Sequence, residues 1–296
     1  MTTDLFVMPP ETPRLMPVQD FGAVYRDAAA PGARAEQGQT LWRALAFSPA
    51  MAATVGLLFI MFGWFGDQGI SLPEGLLIAL ICFNFFWISF TVSTVALGFW
   101  SLTRRAPRAT APIRPMDVAL LMPVYNEVPW YVLGNARSML EELRSWGGEH
   151  RYAIFILSDT RDEGLAAQEQ RMVEALRANL SPGLELYYRR RVMNTDRKVG
   201  NIADWVARWG GAYDAMLVLD ADSLMTGRAI LNLTDALASD PAAGLIQSFP
   251  QLIGAQSVFA RMQQFANTVY GAAFAEGMAR WCGQEGNYWG HNAIIR

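Results

Sequence analysis

Two stretches of this chain carry no charged side chain, and the rest alternates short apolar runs with amphipathic ones. The charge-free windows run from Ala44 to Gly66 and from Gly75 to Thr103. Each exceeds the roughly 20 residues a helix needs to cross a hydrocarbon core. Trp and Phe near their ends suit the membrane interface. The alternative is a pair of buried core helices. Within residues 41–104 the pattern therefore predicts two transmembrane helices, at about 44–66 and 75–103. The first is no cleaved signal peptide, since it starts late and a second span follows at once.

From residue 116 the pattern changes. "VALLMPVY", "RYAIFILSD", "LELYYRR", "AMLVLDAD" and "AGLIQSFP" read as buried strands. Between them Tyr131–Trp146, Glu163–Asn179, Asn201–Trp209 and Gly227–Ala238 read as helices. This alternation predicts an α/β domain over 116–296, with a mostly parallel sheet and helices on both faces. Residues 1–40, rich in Pro, Ala and Gly, read as a mobile cytoplasmic leader in which Asp20–Tyr25 could form a short docking turn. Residues 105–115 form a proline-broken linker. Gln256 to Trp281 has helical spacing and few charges, which fits a helix beneath the membrane or one packed against the core.

Charge sets the orientation. The connection Asp67–Glu74 holds two acids and no base, whereas Arg34, Arg43, Arg104, Arg105, Arg108 and Arg114 flank the other ends. The positive-inside rule then puts the N-terminus and the α/β domain in the cytoplasm. Charged residues make up only 17% of the chain, and the net charge of −3 with no basic, aromatic-rich run argues against nucleic acid as a partner. Cys82 and Cys282 are not expected to pair. No Cys/His cluster has zinc spacing, and His150 reads as a surface residue.

In an open α/β sheet, ligands bind beyond the carboxyl ends of the strands. Three strand ends here are polar: "PVYNE", "SDT" and "DADS". A parallel sheet would gather Glu127, Asp159, Asp220 and Asp222 at one edge. Carboxylates so placed repel unless a cation joins them. Hard oxygen ligands suit Mg2+ or Mn2+, with substrate phosphates completing the shell. The competing reading of "DAD" is an ordinary turn after a strand. Arg189, Arg190, Arg191, Arg197 and Lys198 could neutralise a diphosphate, though most of the arginines read as a solvated face. Lys198 opens a helix whose Gly200 and Asn201 would offer backbone N–H groups to phosphates. No Walker loop is present.

The ordered set "MPVYNE", "SDT", "KVGN" and "DADS", after a membrane hairpin, resembles the inverting family-2 glycosyltransferases of GT-A fold. With "YWGHNAIIR" it resembles, inside that family, the bacterial inner-membrane enzymes of osmoregulated periplasmic glucan synthesis. The resemblance implies a multi-pass protein that transfers glucose from UDP-glucose, with inversion, to a growing β-glucan acceptor, through β-1,2 linkage. It implies that Pro123, Tyr125 and Glu127 line the nucleotide pocket, and that Asp159 reads the uridine. Lys198 and Asn201 would approach the donor, and Asp220 and Asp222 would hold a divalent cation with the sugar diphosphate. Gly290, His291 and Asn292 would form a loop near the transferred sugar. For His291 a structural role beside Trp289 stays open. The lipid bilayer and acyl carrier protein are implied partners, the latter mapping onto no residue.

The family's general base and its Q-x-x-R-W acceptor motif would fall beyond Arg296, so the chain reads as an N-terminal portion with its GT-A domain incomplete. Glu276 and Glu285 precede the loop and are poor substitutes. Two other readings stay open. One is a processive synthase of the cellulose, chitin or hyaluronan type. The other is an inactive, membrane-anchored nucleotide-binding module.

Overall fold

The computed structural model describes residues 7–16, 22, 39–66, 69–104 and 114–296. Most of the leader, including the docking turn expected at Asp20–Tyr25, and most of the linker lie outside the described residues. The chain opens with α1 (Gln39–Phe65) and α2 (Leu72–Thr103), followed by β1 (Asp117–Val124), α3 (Pro129–Trp146), β2 (Arg151–Ser158) and α4 (Glu163–Ala178). Next come β3 (Glu185–Arg190), α5 (Arg197–Trp209), β4 (Ala215–Val218), α6 (Gly227–Ala238) and β5 (Leu245–Gln247). Helices α7 (Val258–Ala266) and α8 (Ala272–Cys282) precede the last strand, β6 (Ala293–Ile295). Two compact units result. One holds the sheet; the other joins α1 and α2 to residues 249–287.

The sheet has the order β3-β2-β1-β4-β6-β5. Strand β1 pairs in parallel with β2 and β4, and β2 with β3, while β6 runs antiparallel to β4 and β5. This is the mostly parallel α/β sheet that the sequence predicts. Its central strand is buried on both faces because alternate side chains feed two cores. Val118, Leu120, Met122 and Val124 pack with Val132, Ala136, Met139 and Leu140 of α3 and Ile230 of α6. Ala119 and Leu121 point the other way, to Phe155, Trp205 and Trp209.

Three expectations fail in instructive ways. The fifth predicted strand shrinks to Leu245–Gln247 and is only half-buried at the sheet edge. The strand Ala293–Ile295 was not predicted, because three residues after a turn are too few to show a period. Part of the leader makes specific contacts: Val7 pairs with the edge strand, and Pro9 to Thr12 meet the end of α5. Val7 and Tyr188 exchange backbone hydrogen bonds of 3.2 and 3.1 Å, Trp209 Nε1 donates to the Pro9 carbonyl at 3.0 Å, and Glu11 pairs with Arg208. The unpaired rim of β3 is thereby partly covered.

In the second unit, α1 and α2 are long and apolar enough to cross a membrane. Phe59, Trp64, Phe83 and Val92 stay exposed on them. Helix α8 lies along α2 with no side chain between the backbones. A Cβ at Gly98 would overlap the Ala273 carbonyl, and one at Gly277 the Thr94 carbonyl. Small residues permit such close approach between helices. Around this contact Trp281 packs edge-on against Phe47 and Phe90, each with ring centroids 5.5 Å away. Ser101 donates to Glu276 at 2.7 Å and accepts from Arg280 at 2.8 Å.

Gly277→Ala should therefore cost about 1–3 kcal/mol through overpacking, read as a lower thermal midpoint and faster proteolysis within 249–287. Gly134→Ala, at an open helical position with no atom within 4 Å, should be neutral or slightly stabilising. Equal behaviour of the two variants would contradict the close α2–α8 packing.

Candidate functional site

At the carboxyl ends of β1, β2 and β4 opens a cleft of about 800 Å³. Pro123, Tyr125, Glu127, Asp159, Lys198, Asn201, Asp220 and Asp222, the eight residues singled out for donor binding, all line it. Arg161, Asn194 and Arg197 complete the wall. Register explains the convergence: Val124 faces Ser158 on one side, and Leu121 faces Val218 on the other. Tyr125 and Asp159 consequently leave the sheet at one level, and the Asp220–Ser223 turn follows the end of β4 and lines the same cleft.

The first two strand ends are tied together. Asn126 adopts a left-handed backbone (φ 59°), a conformation its short polar side chain tolerates. Its Oδ1 accepts the N–H groups of Arg161 and Asp162 at 3.0 and 3.2 Å, while its own N–H donates to Thr160 Oγ1 at 3.1 Å. Beneath them Glu169 of α4, buried, accepts hydroxyls from Ser158 at 2.7 Å, Thr160 at 2.6 Å and Tyr188 at 3.0 Å. Burial first, and the Glu169 charge second, push the Tyr188 phenol well above its usual range. The sequence missed Glu169, since an acid on an amphipathic helix normally reads as solvated.

Asp159 is only 4% exposed and is gripped by Arg191 through two hydrogen bonds of 2.7 Å. The same guanidinium reaches the carbonyls of Thr195 and Arg197 at 3.3 and 3.2 Å. Arg191 thus fastens the second strand end to the turn before α5. In that turn Asp196 and Arg197 both have positive φ (55° and 51°). A Cβ at Gly200 would collide with the Thr195 carbonyl, so glycine is required for the turn to fold onto the helix.

The solvated-face reading of the arginines needs correction. Arg189 is fully buried, pairs with Asp204 and Asn201, and has its guanidinium pushed down to about 10 by burial and then by Arg191. Arg191 is 13% exposed and Arg190, half-buried, pairs with the exposed Glu163; Arg197, exposed, comes nearest to the expected picture. Asn201 also differs from expectation. Its amide bridges Arg189 and the Leu157 carbonyl (2.8 Å), which occupies the side chain in bracing. The Gly200 N–H is already committed to the Asp196 carbonyl at 3.0 Å. His150 is no surface residue: its side chain is 4% exposed and held between the Met116 N–H (3.0 Å) and Asp235 (2.9 Å).

On the other wall, Asp220 accepts an ion pair from Lys198, whose ammonium also donates to the Gly290 carbonyl at 2.8 Å. The Asp220 N–H donates to Ser223 Oγ and the Ser223 N–H returns to the Asp220 carbonyl, both at 3.0 Å, so the turn is locally closed. Asp222 is exposed to the cleft. Desolvation raises the Glu127 carboxyl above the usual glutamate range; the Tyr125 N–H partly offsets this, and the charges of Glu169 and Asp222 add to it. Tyr288, which the sequence did not single out, feels the Asp220 charge after burial, and its phenol is likewise raised.

Gly290 and Asn292 both have positive φ (93° and 52°), so this loop turns sharply. The Asn292 N–H donates to the Val218 carbonyl at 2.7 Å and anchors the loop at the end of β4. Among the described residues, His291 Nδ1, Asn292 Oδ1 and Asn194 Oδ1 are buried with no hydrogen-bond partner. Orphaned polar atoms call for water or a ligand.

Two carboxylates, Asp220 and Asp222, fit a hard divalent cation that leaves most of its shell to water and phosphate oxygens. Among the described residues no group of three or more His, Cys, Asp or Glu side chains could enclose a metal unaided. Any cation here would depend on external ligands.

No family model matches the chain. Among solved structures, a mannosyltransferase of Pyrobaculum calidifontis in complex with GDP-Man and Mn2+ is similar over 53% of this chain and 43% of its own. Its TM-score of 0.40 and 19% identity are too low to carry an argument. Curated relatives are much closer. A protein of Xylella fastidiosa named glucans biosynthesis glucosyltransferase H is 39% identical over 307 residues, covering 100% of this chain and 47% of its own length. Namesakes in Rhodopseudomonas palustris and Shewanella baltica are 39% and 38% identical over 98% of this chain and 41% and 40% of theirs. The chain spans about half the length of the curated relatives it matches. Over its full length this chain is homologous to that half of the proteins named glucans biosynthesis glucosyltransferase H, at 38–39% identity.

Proposed function

We propose that this chain carries the donor site of a membrane-bound glucosyltransferase. The reaction transfers glucose from UDP-glucose, with inversion, to a growing β-glucan of the osmoregulated periplasmic type, through β-1,2 linkage. The observation that carries this reading is the convergence of Asp159, Lys198, Asp220 and Asp222 on one strand-end cleft. The name shared by the relatives supports glucose and a glucan as the transferred group and the product. The hairpin α1–α2 would anchor the protein in the bacterial inner membrane, and the arginines flanking it favour a cytoplasmic cleft.

Asp159, oriented by Arg191, presents its remaining lone pairs to the N–H and O–H groups of a uridine. Tyr125 and Pro123 supply flat apolar surface beside it. Asp220 and Asp222 would hold Mg2+ or Mn2+, which supplies electrostatic stabilisation of a leaving diphosphate. Without donor, the Lys198 ammonium compensates Asp220. With donor present, Lys198 is free to turn toward phosphate oxygens. Arg197 and Arg161 add positive charge to the same wall. Gly290, His291 and Asn292, on the loop whose Gly290 carbonyl accepts from Lys198, would meet the transferred sugar if the loop opened to expose the buried His291 and Asn292 atoms. None of the cleft acids is assigned the role of general base.

Three outcomes are expected. Calorimetry with UDP and Mn2+ on the solubilised protein should show binding lost in Asp222→Ala and weakened about tenfold or more in Asp159→Ala, a loss of about 1.4 kcal/mol or more. Unchanged affinity in both would sink the site assignment. Affinity should also rise with pH as Glu127 loses the proton that desolvation helps it keep, because a cation beside it favours the ionised form. Glu127→Gln should flatten that rise; an unaltered profile would remove Glu127 from the site. Linkage analysis of polymer made from UDP-glucose by the full-length protein in vesicles should give β-1,2 bonds, whereas only β-1,4 product would favour a cellulose-type synthase.

A further inference from the structure

Among the described residues two acids are buried, Asp159 and Glu169. Asp159 has the Arg191 guanidinium as counter-charge, whereas Glu169, 3% exposed in the second turn of α4, has no ion pair among the described residues. Its carboxylate is held by hydroxyls alone: Ser158 at the end of β2, Thr160 just beyond it, and Tyr188 on β3. A carboxylate with no cation is costly to place in a low-dielectric interior. What its three donors hold in place therefore bears on its role.

A hydroxyl that directs its hydrogen to Glu169 turns its lone pairs elsewhere. Thr160 Oγ1 uses one to accept the Asn126 N–H at 3.1 Å, and Ser158 Oγ accepts the Thr160 N–H at 3.2 Å. Asp159 thus stands between two sequence neighbours whose side chains end on one carboxylate. Its own N–H is fixed to the Val124 carbonyl at 2.8 Å. Asn126 passes the constraint on, since its Oδ1 accepts the Arg161 and Asp162 N–H groups. Asp162 in turn caps α4 by accepting the Leu165 N–H at 2.8 Å. The bonds close on the helix that carries Glu169. This circuit ties the ends of β1 and β2 to α4 and includes no residue of the Asp220–Ser223 turn.

We propose that Glu169 is a positioning residue for the nucleoside end of the donor. It touches no ligand. It acts through Ser158 and Thr160, which fix the backbone that bears Asp159, and through Asn126, which fixes the turn bearing Arg161 on the cleft wall. Arg191 orients the Asp159 carboxylate, and Glu169 sets where that carboxylate starts from. Small displacements of binding groups lose much of their effect, so the loss of one buried acceptor here reaches the ligand without contact. The inference rests on the reading of the cleft as a donor site, and the test separates the two.

Glu169→Gln, Thr160→Val, Thr160→Ser and Asp159→Ala are compared in the full chain, solubilised. Calorimetry with Mn2+ gives the affinity for UDP, and displacement of UDP gives that for inorganic pyrophosphate, which lacks the nucleoside. Glu169→Gln and Thr160→Val should each weaken UDP about tenfold or more and leave pyrophosphate unchanged. Thr160→Ser, which keeps the hydroxyl, should bind UDP as the parent does. Equal losses for UDP and pyrophosphate would overturn the inference, by making Glu169 a general support of the fold. Unchanged UDP affinity in Glu169→Gln and Thr160→Val, with Asp159→Ala weakened, would overturn it and leave the donor site standing. Unchanged affinity in Asp159→Ala as well would remove both. Where Glu169→Gln fails to fold, Thr160→Val against Thr160→Ser decides by the same two ligands.

Discussion

The in-phase parallel pairing of β1 with β2 and β4 is the constraint on which the candidate site depends. Side chains on a strand alternate faces, so a slip of one residue would exchange the side chains of β1 between two differently shaped cores. Burial on both sides of β1 forbids that slip: Leu120 and Leu121 point to opposite cores, and both are fully buried. The register that satisfies both cores also lets Tyr125 and Asp159 emerge together, with the turn that carries Asp222 lining the same cleft. The apolar interior thus sets the spacing of the polar residues at its edge.

Charge at that edge is balanced locally. Asp159 has Arg191, Asp220 has Lys198, and Glu169 has three hydroxyl donors. Asp222 is exposed at the cleft, and Glu127, which accepts the Tyr125 N–H, has no ion pair among the described residues. Burying the first group with partners avoids the cost of isolated charge in a low-dielectric surround. Leaving the second group under-compensated creates a place where a cation is favourable. In the proposed reaction the lysine beside Asp220 would serve as a stand-in charge, exchanged when phosphate and metal arrive together.

Much of this was legible in the chain itself. Long charge-free windows and buried strands follow from solvent transfer, and the acids of "SDT" and "DADS" stand out because they end apolar runs. What escaped shares a physical reason. Glu169, Arg191 and His150 are polar residues buried by partners distant in sequence, and no local pattern distinguishes them from solvated ones. The strand at Ala293–Ile295 is too short to display a period. Residues 7–12 look disordered by composition, yet Val7 pairs with Tyr188, the Trp209 indole holds Pro9, and the Thr12 N–H donates to the Arg208 carbonyl. Asn201 was placed correctly at the cleft, but its amide braces Arg189.

The proposed donor site requires the strand-end cleft to bind a nucleotide diphosphate with a divalent cation held by Asp220 and Asp222. Anomalous scattering from manganese in crystals grown with UDP and Mn2+ should show one strong peak within coordination distance of both aspartates, with Lys198 moved off Asp220 and the uracil beside Asp159. UDP bound with manganese elsewhere, or with the Lys198–Asp220 pair intact, would contradict it.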